Sequence, residues 1–276
     1  MQKIFFIKLQ FNKIIKIISN NMVKMKKIGL IPCRMESSRL PNKPLKEISG
    51  LPMFSHVYFR SKLSDLDEVY VCTDSDEITE VAKKFKIPTI LTSKEHKNGT
   101  ERCAEAARKL NLSSEDLIVD IQGDEPLINP IDINNLIKNF NNNFQDILLG
   151  YTIEPNSNNV NTVKITLNHN SKVLYFSRND IPHNFRSNVS LIKQTGLVGF
   201  SFSALNNFVE FKPTEIENIE GIELLRAVFY EMKIFGFEIH KYTSSVDTVQ
   251  DLEFARNTMK SDEIVNQYIG NYVQKK

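Results

Sequence analysis

Between Pro32 and Pro44 the chain reads P-C-R-M-E-S-S-R-L-P-N-K-P, placing the cations Arg34, Arg39 and Lys43 beside the hydroxyls of Ser37 and Ser38. Such a loop suits phosphate. The cations neutralise charge, while the hydroxyls and the backbone amides of an irregular loop donate hydrogen bonds. The chemistry implied is a grip on a nucleoside triphosphate. A second cluster is Gln122-Gly123-Asp124-Glu125-Pro126, which follows directly on the apolar run D-L-I-V-D-I. There a glycine permits close backbone approach, and Asp124 can offer a hard oxygen ligand to Mg2+. Val246-Asp247-Thr248 forms a third. Asp247 is either a helix N-cap or a second metal ligand. Asp74-Ser75-Asp76 is a D-x-D that could hold a metal–nucleotide complex, and Ser75-Asp76 equally fits the start of a helix.

These clusters need elements to hold them. Lys27–Cys33 reads as a buried first strand, Glu68–Thr73 as a second, Thr89–Leu91 as a short one and Asp116–Ile121 as a long apolar one. Helical spacing covers Pro52–Leu63, Asp76–Phe85, Thr100–Leu110 and Asp132–Phe140. Ile147–Ile153 is a further strand. Strands alternating with helices predict βαβ units: an α/β fold with a mostly parallel, Rossmann-like sheet and helices on both faces. Ligands in such sheets bind beyond the carboxyl ends of the strands, where the Pro32–Pro44 loop, Asp74 and Gln122–Pro126 all fall.

Past residue 155 the pattern changes. Val163–Leu167 and Lys172–Phe176 flank His169-Asn170-Ser171 and predict a hairpin. Leu197–Ala204 is an apolar stretch, Glu220–Met232 a helix, Glu238–Lys241 a strand and Thr248–Met259 a closing helix. Asn141–Asn143 and Asn156–Asn161 are polar loop material. The expected organisation is one α/β domain over 25–276 with a hairpin-bearing insertion at about 155–215. Residues 1–24 read as an extension or a start codon assigned too early. Lys8, Lys13 and Lys16 interrupt that apolar segment, which makes it a poor signal peptide or membrane span, and the expected location is the cytoplasm.

Composition excludes several classes. The net charge of +2 gives no global case for nucleic-acid binding. Three cysteines without paired spacing argue against a disulfide framework or a zinc site. No G-x-x-x-x-G-K-[ST] is present, and no G-x-G-x-x-G follows a strand, so neither a P-loop nor a dinucleotide oxidoreductase is expected.

Taken together, R-M-E-S-S-R-L-P-N-K-P-L (34–45), N-G-T-E-R (98–102), Q-G-D-E-P (122–126), Y-F-S-R (175–178) and V-D-T (246–248) resemble, in order, the 3-deoxy-manno-octulosonate (Kdo) cytidylyltransferases, or CMP-Kdo synthetases. The resemblance implies transfer of CMP from CTP to the anomeric hydroxyl of a 3-deoxy-ulosonic acid, with release of pyrophosphate, for lipopolysaccharide or capsule synthesis. It implies catalytic roles for Arg34, Lys43, Asp124 and Asp247. Nucleotide contacts would come from Arg34, Ser38, Arg39, Lys43, Arg102 and Gln122, and sugar contacts from Gln122, Arg178, Gln194 and Glu223. Asp124 and Asp247 would bind Mg2+, and a homodimer would form through the insertion. The chain departs from the family pattern at Gln194 and Val198, where histidine and tyrosine are expected, and at Leu224, where glutamine is expected. Arg186 is the nearest candidate for a displaced arginine. These departures lie on the sugar side, so a modified Kdo or another ulosonic acid is an open acceptor. A nucleotide-sugar glycosyltransferase built on Asp74 and Asp76 is the more distant alternative.

Overall fold

The computed structural model describes residues 24–37, 39–141, 144–155, 159–183, 185–186, 190–240 and 245–272. Ser38, residues 1–23 of the extension, parts of the two asparagine-rich loops and Lys241 lie outside the described residues.

The strands run β1 (Lys27–Cys33), β2 (Glu47–Ile48), β3 (Leu51–Pro52), β4 (Glu68–Thr73), β5 (Thr89–Leu91), β6 (Leu117–Ile121), β7 (Ile147–Glu154), β8 (Lys164–Leu167), β9 (Val173–Ser177), β10 (Leu191–Ser201) and β11 (Ile234–Glu238). The helices are α1 (Met53–Lys62), α2 (Asp76–Lys84), α3 (Gly99–Arg108), α4 (Pro130–Asn139), α5 (Phe202–Glu210), α6 (Glu215–Glu220), α7 (Leu224–Phe229) and α8 (Val249–Met259).

The central sheet has the order β11-β7-β10-β6-β1-β4-β5. β1 pairs in parallel with both β4 and β6, and β4 with β5. β7 and β11 are also parallel, while β10 runs antiparallel between β6 and β7. The mixed α/β architecture expected from the sequence is therefore present. β1 and β6 are buried almost throughout, as suits inner strands that read as continuous apolar runs. The chain leaves β1 toward β4 and β5, then returns to β6 on the other side of β1. That reversal makes a topological switch point, with a crevice at the carboxyl ends of β1 and β6.

The β8–β9 hairpin forms as expected and extends the sheet through the first half of β10. Three expectations are corrected. The apolar stretch Leu197–Ala204 spans two elements: it ends β10 and starts α5 at Ser201, whose side chain accepts from the Ala204 amide. Glu220–Met232 is not one helix. Gly221 adopts φ 62°, a left-handed conformation that ends α6 before α7 begins. The last strand lies at Ile234–Glu238 rather than Glu238–Lys241, because its apolar residues pair with Ile147–Tyr151 of β7.

Two apolar layers cover the sheet. One joins α1, α4 and α8 residues such as Phe54, Leu136 and Leu252 to β1 and β6. The other joins Ala104, Leu205 and Leu225 to the opposite face. No helix among the described residues is long and apolar enough to cross a membrane.

Candidate functional site

The crevice at the switch point begins where β1 ends. Asn42 adopts φ 55°, and Lys43–Leu45 then form a single 3-10 turn with Pro44 buried. This turn aims Lys43 inward. Its Nζ lies 2.6 Å from Asp124 Oδ2 and 3.0 Å from Asp247 Oδ1. Arg39 Nη2 reaches the same Asp247 oxygen at 3.0 Å. Burial opposes the Lys43 charge, but the Asp124 and Asp247 carboxylates outweigh it and hold the ammonium above its ordinary pKa.

Asp124 is placed by the loop after β6. A Cβ on Gly123 would stand 2.5 Å from Cys33 Sγ and 2.8 Å from the Pro32 carbonyl oxygen, so only glycine lets the two strand ends meet this closely. The Cys33 thiol is buried there, and burial drives its pKa far up, so it is no nucleophile. The Val246 amide donates to the Asp124 carbonyl at 2.9 Å, tying the V-D-T segment to the Q-G-D-E-P segment. The alternative left open for Asp247 resolves against capping. Thr248 caps α8 in a capping box with Asp251, which leaves the Asp247 carboxylate facing the crevice.

The D-x-D alternative also resolves. The Ser75 hydroxyl caps α2 and Asp76 lies in its first turn. Asp74 accepts from Arg102 Nη2 at 2.9 Å. Arg102 also donates to Thr92 Oγ1 at 2.6 Å, so its buried guanidinium presents a fixed edge to the crevice.

Arg34, Arg39, Lys43, Arg102, Gln122 and Asp247 line a cavity of about 370 Å³ together with Asp124. A smaller recess of about 290 Å³ shares Arg34 and Arg102 with it. On the other side, a cavity of about 490 Å³ shares Arg39, Gln122, Asp124 and Asp247 and adds Glu125, Lys193 and Gln194. The structure therefore brings together the expected loop cations, both acids, Arg102, Gln122 and Gln194.

Arg178 and Glu223 are not among the residues lining these three cavities. Arg178 donates to the carbonyls of Glu220, Val160 and Gly221, at 2.6, 3.0 and 3.0 Å. It staples the end of β9 to the α6–α7 turn. Glu223 is half-buried behind α3, accepting from Thr100 Oγ1 at 2.8 Å. Burial, with the neighbouring Glu101 and Glu217 charges, raises its pKa to about 7 against the pull of Thr100 and Arg226. Val198 and Leu224 are buried in the apolar layer that includes Cys103 and Phe176.

The raised Glu223 pKa has a definite sign for stability. Its ordinary value is 4.5, so between about 4.5 and 7 the folded chain holds a proton that the unfolded chain has lost. Stability falls as pH rises through that window. Glu223→Gln is expected to remove on the order of 2–3 kcal/mol of this decline between pH 5 and pH 8. Urea unfolding of both proteins at the two pH values measures it. Equal declines in variant and wild type would refute the assignment.

Three crevice residues escape a reading of the sequence. His96 lines the cavities of about 370 and 290 Å³ and pairs with Glu105. Its closeness to N-G-T-E-R was the available signal. Glu125 lies within Q-G-D-E-P, but its burial is not visible there. Lys193, ion-paired with Glu154 at 3.5 Å, carried no motif at all.

Two carboxylates already converging on one positive charge form a hard-oxygen cradle that fits Mg2+. No group of three or more His, Cys, Asp or Glu among the described residues is arranged to hold a metal. Two carboxylates with substrate phosphate and water completing the shell is the pattern Mg2+ favours over an all-protein cage.

Comparison with known proteins bears on the family and the fold. The cytidylyltransferase family model matches residues 28–234. A protein of Actinobacillus pleuropneumoniae named 3-deoxy-manno-octulosonate cytidylyltransferase 2 is 36% identical over 246 residues, covering 84% of this chain and 98% of the relative. The Lawsonia intracellularis 3-deoxy-manno-octulosonate cytidylyltransferase is 38% identical over 237 residues, covering 84% and 93%. Among solved structures, a CMP:2-keto-3-deoxy-manno-octonic acid synthetase complexed with CTP superposes with a TM-score of 0.80 at 31% identity, covering 85% of this chain and 98% of that one. A glucose-1-phosphate thymidylyltransferase of Bacillus anthracis shares the fold alone, at 18% identity and a TM-score of 0.63.

Proposed function

The chain belongs to the 3-deoxy-manno-octulosonate cytidylyltransferase family, a family of nucleotidyltransferases, and from that premise we propose that it transfers CMP from CTP to the anomeric hydroxyl of a 3-deoxy-ulosonic acid. One observation carries the reading: Lys43, Asp124 and Asp247 meet at the switch point beside Arg34, Arg39 and Arg102, where one cavity shares its wall with a second. The first cavity takes CTP and the second takes the acceptor.

In this reading Arg34, Arg39 and Lys43 neutralise the triphosphate, with Ser38 as a further loop contact. Arg102 and Gln122 orient the nucleotide. The anomeric hydroxyl gives up its proton to solvent as its oxygen attacks the α-phosphorus, a new P–O bond forms, and the bond to the leaving pyrophosphate breaks in line. The protein supplies positioning and charge neutralisation for this step. Asp124 and Asp247 would hold Mg2+, which lowers the pKa of an oxygen it binds and offsets phosphate charge. Gln122 and Gln194 face the acceptor cavity. Resemblance alone supports Arg178 and Glu223 as sugar contacts.

Kdo is the first candidate acceptor, for lipopolysaccharide or capsule synthesis. A modified Kdo is the second candidate acceptor, because Gln194 lines the acceptor cavity where the family pattern has a histidine. Val198 and Leu224 also depart from the pattern but lie in the apolar layer. Pyrophosphate release from each of the four ribonucleoside triphosphates, tested against Kdo, its 8-amino analogue and neuraminic acid, decides between them. Release from CTP with either Kdo compound is expected, and no release with any acceptor would sink the reading. A homodimer through the β8–β9 hairpin belongs to the same proposal, supported by Leu174 and Tyr175 standing exposed on β9. Sedimentation equilibrium should give twice the mass of the chain, and a monomer at micromolar concentration would remove this part.

A further inference from the structure

The acceptor cavity is walled by an irregular stretch of β10, and the feature that fixes this stretch is a buried carboxyl from the neighbouring motif. β10 follows β7 in regular register up to Gln194, then slips before resuming at Val198. Bulges of this kind bend a strand and re-aim its side chains. Here the side chains concerned are Lys193, Gln194 and Thr195, all lining the cavity of about 490 Å³.

The slip is held from both sides. Thr195 Oγ1 donates to the Gly150 carbonyl of β7 at 2.9 Å. From the β6 side, the Gly196 amide donates to Glu125 Oε1 at 3.2 Å. The approach is close. A Cβ on Gly196 would lie 2.4 Å from Glu125 Oε1 and 2.6 Å from Gln122 Cγ. Glu125 is 6% exposed, so its carboxyl is a buried part of this wall and not a surface charge. It directly follows Asp124, whose carboxylate holds Lys43. The backbone at Glu125 is itself fixed, its amide donating to the Gln122 carbonyl at 3.1 Å and its carbonyl accepting from Ile128 at 3.0 Å.

We propose that Glu125 is a positioning residue that clamps the β10 bulge through the Gly196 amide and thereby sets the acceptor wall, Lys193 to Thr195, against the phosphate-side acids. Its carboxyl stands at the edge of the acceptor cavity, and its hold on the wall runs through Gly196. Its effect is therefore directional: loss of the clamp displaces the acceptor wall and leaves in place the CTP cavity, whose Gln122–Asp124 edge is held separately by Lys43 and by the Val246 amide. The proposal rests on the reading of the two cavities as CTP and acceptor sites.

Three proteins test it: wild type, Glu125→Ala, which removes the acceptor of the Gly196 hydrogen bond, and Glu125→Gln, which keeps an oxygen there. Amide hydrogen exchange of the folded proteins is read first at Gly196. Glu125→Ala should speed that exchange at least tenfold, and Glu125→Gln should leave it within threefold of wild type. Steady-state pyrophosphate release then gives the split. Glu125→Ala should raise KM for the acceptor at least tenfold with KM for CTP within twofold, and Glu125→Gln should restore the acceptor KM. Equal rises in both KM values, no rise in either, or unchanged Gly196 exchange in Glu125→Ala would each overturn the clamp. If Glu125→Ala does not fold, the burden falls on Gly196→Ala, which forces the same contact apart from the other strand; an unchanged acceptor KM there overturns the proposal. Failure of the functional reading is separate: wild type would then release no pyrophosphate, while the Gly196 exchange result would still stand or fall by itself.

Discussion

Asp124→Ala is expected to lower pyrophosphate release by about 10²–10³-fold, the range seen when one preorganised charged or hydrogen-bonding group is removed from an active site. The expectation comes from the geometry around Lys43. Its ammonium is shared by Asp124 at 2.6 Å and Asp247 at 3.0 Å, and both acids form the cradle proposed for Mg2+. Removing one leaves a single carboxylate to hold a divalent ion beside a triphosphate. Two readouts follow. Turnover at saturating CTP should fall, and the Mg2+ concentration giving half-maximal rate should rise, for Asp124→Ala and Asp247→Ala alike. Lys43→Met should lower turnover by about 10²-fold without that Mg2+ shift, because it removes charge neutralisation and not a metal ligand. A fully active Asp124→Ala enzyme, with thermal stability matching wild type, would remove this acid from the mechanism. Unchanged Mg2+ dependence in both acid variants would remove the metal cradle.

Glu217→Ala carries the largest expected loss of stability, about 3–5 kcal/mol, the cost of stranding a buried charge. Arg226 of α7 is the charge. Its guanidinium donates to both Glu217 oxygens, at 2.9 and 2.5 Å, and sits 5.0 Å above the Phe208 ring of α5. Glu217 has a second task. Its carboxylate accepts from the Thr214 amide at 3.1 Å, completing the capping box that starts α6. The Glu217–Arg226 pair therefore joins α5, α6 and α7. Glu217→Gln should lose less, because an amide oxygen still serves the cap and accepts from Arg226. Urea unfolding measures both. A loss below about 1 kcal/mol for Glu217→Ala would show that Arg226 finds another partner or reaches water.

Where sequence reading failed, it failed at element ends. Leu197–Ala204 reads as one mostly apolar stretch, yet Ser201 divides it into strand and helix. Hydrophobicity cannot mark that boundary, but the hydroxyl that accepts from the Ala204 amide does. Glu220–Met232 has helical spacing after Gly221, but the left-handed backbone at that glycine ends α6 at Glu220, and α7 covers only Leu224–Phe229. The strand Ile234–Glu238 has five residues of which four are buried, a run short enough for strand and helix to look alike.

The fold class, the loop cations Arg34, Arg39 and Lys43, the acid Asp124 and the side of the sheet on which they stand were all legible in the sequence, whereas Asp247 read equally as a helix cap and only the resemblance pointed to the site. The legible features depend on local signals: apolar periodicity for the strands, and charged or turn-forming residues directly after them. What only the tertiary structure decided is pairing. Lys43 meets Asp124 and Asp247 across 81 and 204 residues of chain, and Gly196 meets Glu125 across 71. Sequence spacing reports which residues share one face of one element. Which elements then become neighbours follows from strand order and from the close approach that Gly123 and Gly196 permit, and these are properties of the assembled sheet.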